Sequence, residues 1–304
     1  MRVRSGHISQ RFLMPIGVRV LAVTLDQLKS NPKDRMMRTA SLPMYSLPEM
    51  AAANSALWTA LQQRLRAKGV NTADIKLESD RAPVPDGIGP KVFFTQICGY
   101  PLFKHYRDQG LLLATPHYAL PGCVGSTHRA FFVIRSNDPA QSLEDLRGRI
   151  FGCNSLLSNS GMNLPRLSLA RIAGGQPFFS SVVMTGGHIA SLERLDENGI
   201  DVCSIDSVTW GFFRKFRPVT AERYRILGET ISSPSLPFVT AVNTSESDAM
   251  AIVETLHEII EDPLTADIRR TLELAGLSVP DGAAYERLAE YEREAADLGF
   301  PEIR

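Results

Sequence analysis

Arg149-Ile150-Phe151-Gly152-Cys153-Asn154-Ser155-Leu156-Leu157-Ser158-Asn159-Ser160-Gly161-Met162-Asn163 is the stretch on which the fold turns. Its first five residues form a short apolar run of the kind that makes a buried strand. Small polar side chains and Gly161 follow, and the spacing then predicts a helix over 162–173. The first N–H groups of a helix have no intrahelical partner, and the helix dipole favours negative charge beside them. Hydroxyls from Ser158 and Ser160 would add donors, and Gly161 would let an oxyanion approach the backbone. An ordinary helix N-cap that satisfies only its own amides fits the same residues.

Outward from this junction, strand-like and helix-like pieces alternate. On the N-terminal side, strands are expected at 38–42, 75–77, 92–97, 111–115 and 131–135. Helices are expected at 48–68, where Leu57, Leu61 and Leu65 share a face, and at 101–109. Ser142 and Gly148 bracket a short helix as cap and stop. On the C-terminal side, strands at 181–184, 202–205, 224–228 and 238–242 alternate with helices at 189–198 and 208–216. Three further helices are expected at 246–261, 265–275 and 282–298. Such alternation argues for α/β architecture with largely parallel sheets. The alternation falls into two runs, each too short for a full barrel, which argues for two lobes. The chain is expected to cross between them at 129–135 and 233–240, with Pro234 and Pro237 stiffening the second crossing. That divides it into 38–130 plus 236–304 as one lobe and 131–235 as the other. Two extended crossings permit clamshell closure.

Composition narrows the functional classes. The chain has 304 residues, with 33 basic and 33 acidic side chains. Balanced charge gives no support for a nucleic-acid partner. The cluster Arg214, Lys215 and Arg217 reads as a solvated helix face. Residues 1–37 read either as an atypical leader or as an N-terminal extension. Arg2, Arg4 and Arg11 precede an apolar run, but Arg19 interrupts it and no small-residue cleavage site follows. Cys98, Cys123, Cys153 and Cys203 form no Cys-x-x-Cys pair. A bridge between Cys98 and Cys123 and a pair of free thiols both fit the sequence. Neither a Gly-x-Ser-x-Gly elbow, a Walker-type loop nor a His-Glu-x-x-His pair occurs. Ser126, Thr127 and His128 are adjacent in sequence, which is not the geometry of a nucleophile and its base. No catalytic residue, metal or cofactor is therefore expected.

Four segments in order resemble the phosphonate-binding periplasmic protein family, the substrate-binding subunits of phosphate, phosphite and phosphonate importers. Ser41-Leu42-Pro43-Met44-Tyr45 resembles the family's first strand and the aromatic loop after it. Ser158-Asn159-Ser160-Gly161 resembles its Ser-Thr-Ser-Gly turn, with asparagine in place of threonine. Thr185-Gly186-Gly187-His188-Ile189-Ala190-Ser191-Leu192 resembles its Gly-Ser-His segment. Gly199-Ile200-Asp201-Val202-Cys203-Ser204-Ile205-Asp206 resembles its Gly-x-x-Asp-Val-Ala-x-x-Asp stretch.

The resemblance implies a two-lobed type 2 periplasmic-binding-protein fold with two crossover hinge strands. It implies a monomer that delivers a small anionic solute to the membrane subunits of an ABC importer from the periplasm. The unclear leader leaves a cytoplasmic sensor on the same fold open, and an enzyme of cofactor-precursor synthesis is the third reading. By resemblance, Ser158, Asn159, Ser160 and Gly161 hold the anionic group, with His188 beside it. Tyr45 and Tyr100 fall on loops that cover the ligand, or else serve packing. Gln96 lies in a loop rich enough in polar groups to reach the cleft. Asp206 either meets an amine on the ligand or caps the helix that follows it.

Overall fold

The alternating segments sort into two large sheets. A computed structural model describes residues 37–79 and 88–304. The chain begins with β1 (Thr39–Ser41), α1 (Ala51–Ala67), β2 (Lys76–Glu78), β3 (Val92–Gln96), α2 (Gly99–His105) and β4 (Gly110–Tyr118). Next come β5 (Thr127–His128), β6 (Ala130–Arg135), β7 (Ile150–Cys153), α3 (Leu164–Ala173), β8 (Ser181–Met184) and α4 (His188–Asp196). They lead to β9 (Val202–Asp206), α5 (Ser207–Phe216), α6 (Pro218–Ala221) and β10 (Tyr224–Glu229). The last elements are β11 (Ser233–Pro234), β12 (Phe238–Ala241), α7 (Glu246–Glu261), α8 (Ala266–Thr271), β13 (Leu274–Ser278) and α9 (Gly282–Asp297).

Among the described residues, one sheet runs β13-β4-β12-β3-β1-β2 and the other β10-β6-β9-β7-β8. β1 lies parallel to β2 and β3, and β7 lies parallel to β8 and β9. Every residue of β3 and of β9 is buried, as expected of strands covered on both faces. Helices supply the cover. Leu57, Leu61 and Leu65 of α1 and Ile252, Leu256 and Ile259 of α7 join one apolar cluster at helical spacing.

Each crossing lies slightly earlier in the chain than expected. β6 belongs wholly to the five-stranded sheet, so the first crossing occupies the stretch between Tyr118 and Ala130. β12 belongs wholly to the six-stranded sheet, so the second lies between Glu229 and Phe238. The two crossings pair with each other: β5 and β11 form a short antiparallel ladder, Ser233 opposite His128 and Pro234 opposite Thr127.

The helix expected over 265–275 ends early. α8 stops at Thr271, Glu273 turns the backbone to φ 50°, and β13 then pairs antiparallel with β4. A left-handed residue ends a helix, and the open edge of β4 takes up the freed chain. The short helix expected between Ser142 and Gly148 is a single 3-10 turn, Glu144–Leu146, without a cap from Ser142; the Asp145 carboxylate instead reaches back to accept from the Gln141 and Ser142 amides. α9 packs on both α2 and α3, and the Arg304 carbonyl accepts from the amides of Phe178 and Phe179. The C-terminal helix thus ties the two sheet systems together. All four cysteines are free thiols, so no Cys98–Cys123 bridge forms. The expectation for a leader or extension at 1–37 lies, but for Met37, outside the described residues.

Candidate functional site

The strand-to-helix junction quoted above forms one wall of a cleft. After β7 the chain makes a single π-helical turn, Asn159–Asn163, that runs into α3. The Asn163 amide reaches back to the Ser158 carbonyl at 3.0 Å, which widens the turn. Ser158 holds extended dihedrals, and its hydroxyl accepts from the Gly161 amide at 3.0 Å. The Ser160 carbonyl is fixed from β9 by the Ser204 hydroxyl at 2.6 Å. That leaves the Ser160 hydroxyl on the cleft side, 3.0 Å from His188 Nε2.

His188 opens α4, behind Gly187, which supplies no side-chain cap to the helix start. Gly186, Gly187, Ile189 and Ala190 line the same cleft. An uncapped helix start facing a cavity presents amides and a positive dipole end to it. Burial pushes the His188 imidazole below its ordinary pKa, outweighing the opposing pull of Asp206. The ring is therefore a neutral hydrogen-bonding partner at neutral pH. Asn154, at the end of β7, sets its amide nitrogen 3.4 Å from the same His188 Nε2.

Asp206 closes β9 and caps α5, accepting from the amides of Val208 at 2.8 Å and Thr209 at 3.1 Å. His128 Nδ1, fully buried on β5, lies 2.9 Å from the other carboxylate oxygen as an ion-pair contact without good hydrogen-bond alignment. Burial alone would raise the Asp206 carboxyl. The His128 ring, His188 and the Thr209 amide outweigh it and hold the group below the ordinary carboxylate value.

Tyr45 comes to the cleft from the other sheet system. Its ring meets Tyr118 edge-on at 5.4 Å and stands 6.1 Å from Phe212 of α5. Its hydroxyl is buried and has no hydrogen-bond partner among the described residues. Burial, then the Asp206 charge, pushes this phenol well above its usual pKa, so it stays a donor.

Tyr45, Ser158, Ser160, His188 and Asp206 thus share one cavity of about 680 Å³. The other four expected residues do not reach its wall. Gln96 spends its amide on the Tyr118 hydroxyl and the Leu236 carbonyl, each at 2.9 Å. Tyr100 is buried against α9 and donates to Glu292 at 2.7 Å. Asn159 points toward the crossover, donating to Ser233 at 3.0 Å. Gly161 lies beneath the wall, where a Cβ would stand 1.7 Å from Asn154 Oδ1. Sequence reasoning missed Asn154, Ser155, Thr209 and Arg217 on the lining. Arg217 is no freely solvated cation. It forms a two-pronged pair with Glu49, from the turn before α1, at 2.8 and 3.3 Å. Asn154 carried a signal, since it directly follows the strand; Arg217 looked like part of a surface charge run.

Cys98 also lines the cavity, but burial pushes its thiol up to about 11 and keeps it protonated. Among the described residues, no group of three or more His, Cys, Asp or Glu could hold a metal ion. Nor is any described helix long and apolar enough to cross a membrane. What the site offers is hydroxyls, a neutral imidazole and helix-start amides converging from one side, and a tyrosine from the other. That constellation is suited to holding an anion.

Fold and site together define a two-lobed solute-binding protein. Residues 40–285 match the family described as the phosphonate, periplasmic substrate-binding protein of ABC transporters, and the chain belongs to that family. Its members work with the membrane components of an ABC importer and are transport proteins rather than an enzyme class. Solved structures agree on the fold. A Xanthomonas citri protein bound to ATP is 18% identical, with a TM-score of 0.62, covering 86% of this chain and 98% of that one. The binding component of a Pseudomonas aeruginosa ABC phosphonate transporter is 13% identical with a TM-score of 0.67, covering 86% and 88%. PhnD1 of Prochlorococcus marinus, in complex with methylphosphonate, is 13% identical with a TM-score of 0.66, covering 86% and 98%. No curated protein sequence matches the chain.

Proposed function

We propose that the cleft captures a small anionic solute, a phosphonate, phosphate or related oxyanion, and delivers it from the periplasm to the membrane subunits of an ABC importer. The observation that carries this is the convergence of Ser158, Ser160, His188 and the uncapped start of α4 on one cavity wall. An anion there gains donors that are already in place, so little ordering is lost on binding. Tyr45 meets it from the other lobe through a hydroxyl that has no partner of its own. The protein acts as a monomer and without catalysis. The lobes divide as 38–130 plus 236–304 and 131–235, a division supported by sheet membership up to β13. The crossover ladder of β5 and β11 serves as the hinge. The Prochlorococcus marinus relative, in complex with methylphosphonate, is a precedent for the ligand class.

The test is a thermal-shift screen against phosphate, phosphite, methylphosphonate and small carboxylates. A ligand at about a hundredfold its Kd stabilises the native state by about 2.7 kcal/mol and raises the melting temperature. Ser160→Ala is expected to weaken the best ligand about ten- to a hundredfold, the worth of one hydrogen bond to a charged group. Its effect on melting in the absence of ligand should be small, because among the described residues the Ser160 hydroxyl meets only His188. Ser158→Ala is less clean, since that hydroxyl also caps the Gly161 amide and its loss costs about 1 kcal/mol. Unchanged affinity in Ser160→Ala would remove the cradle from the site.

A further inference from the structure

A carboxylate at the floor of an anion-binding cleft needs an explanation. Asp206 lines the cavity and is 2% exposed, so its charge is poorly screened. Left unpaired it would repel any anion. Available, it would attract a ligand bearing an ammonium group. Neither description fits, because each oxygen already faces a partner. One accepts the first amides of α5. The other faces His128 at 2.9 Å. His128 cannot turn aside, since its ring is fully buried and its backbone belongs to the crossover ladder. Its Nε2 has no partner among the described residues, so Asp206 is the contact that anchors the ring.

Resting on the anion-binding reading above, we infer that the cleft selects anions with an uncharged body over amino-substituted ones, and that His128 sets this preference by occupying Asp206. A ligand ammonium would have to compete with His128 for the second oxygen, and weakening that contact would leave a buried imidazole without its polar partner, which is costly. The rest of the cavity suits an apolar body. Met44, Leu47 and Pro48 line it from one side, and Met184, Ile189 and Leu236 are among its other apolar lining residues. Glu193, the other carboxylate on the described lining, is exposed at the rim, and its field falls on the Arg217 guanidinium. Solvent and that cation leave it little hold on a ligand amine.

Calorimetric titration of the full chain with propylphosphonate and 2-aminoethylphosphonate tests this, because the two differ only in a terminal methyl against an ammonium. Propylphosphonate is expected to bind at least about tenfold tighter. His128→Asn releases Asp206 and is expected to move the ratio about tenfold or more toward the amino compound. Equal or tighter binding of 2-aminoethylphosphonate by the wild-type chain overturns the inference while leaving the anion reading intact. A folded His128→Asn variant with an unchanged ratio also overturns it. Binding of neither compound, nor of phosphate or methylphosphonate, sinks both readings together. The wild-type comparison decides the matter even if the variant does not fold.

Discussion

Gly161→Ala is expected to weaken the best anionic ligand about ten- to a hundredfold and to lower the melting temperature in its absence. The backbone is not the reason, because Gly161 does not hold a left-handed conformation. Space is the reason. An alanine Cβ would stand 1.7 Å from Asn154 Oδ1, 2.6 Å from Asn154 Cγ and 3.2 Å from Ser158 Oγ. Asn154 must then swing away, and its amide nitrogen loses His188. Ser158 must shift too, which disturbs the cap on residue 161 itself. Overpacking of this kind costs about 1–3 kcal/mol, roughly one to two decades in affinity where it falls on the binding wall. A double-mutant cycle isolates the cause. In an Asn154→Ala background the clash is gone, so the stability penalty of Gly161→Ala should shrink. Calorimetric affinity and melting temperature across the four proteins check both claims. A Gly161→Ala chain that binds like the wild type would show that the close approach of Asn154 is not part of the site.

How much of this was legible depends on where each residue finds its partner. The sheet cores were, because strands such as Val92–Gln96 and Val202–Asp206 are buried along their whole length and begin with short apolar, β-rich pieces bounded by turns. The cradle was legible as a junction, since a strand, a polar turn and an apolar helix follow one another in sequence. β13 was not, because its reason for being a strand is the distant edge of β4 rather than its own pattern. Tyr100 looked like a cleft residue from its loop, yet its hydroxyl is claimed by Glu292 on α9. Asn159 sits among cavity-lining residues in sequence, but a widened turn rotates it toward Ser233. His128 was read only against its neighbours Ser126 and Thr127, while the contact that matters lies on β9. Local pattern therefore located the wall of the site, and tertiary partners decided which of its side chains face the cavity. The order of four short motifs carried the family because order constrains topology even where each motif alone is weak.

Asp206→Ala is expected to destabilise the chain more than any other change at the site, by about 2–4 kcal/mol in chemical denaturation, because it strands the fully buried His128 without its polar partner. Loss of the α5 cap is part of the same change, a contribution that alone is worth about 1 kcal/mol. The pH dependence of stability should change with it. In the folded chain the Asp206 carboxyl is held below its ordinary 3.8, the His128 ring overcoming the cost of burial. A depressed carboxylate contributes stability that is fully present above the ordinary value and is lost as pH falls through the folded one. Wild-type stability should therefore fall on acidification below about pH 4, and Asp206→Ala should flatten that limb. Removing both partners in His128→Asn/Asp206→Ala is expected to recover part of the loss, since a site without either partner costs less than one with a stranded ring. A single variant that loses less than about 1 kcal/mol would mean that the two side chains are not paired in solution. The inferred control of ligand selectivity by His128 would fall with that result.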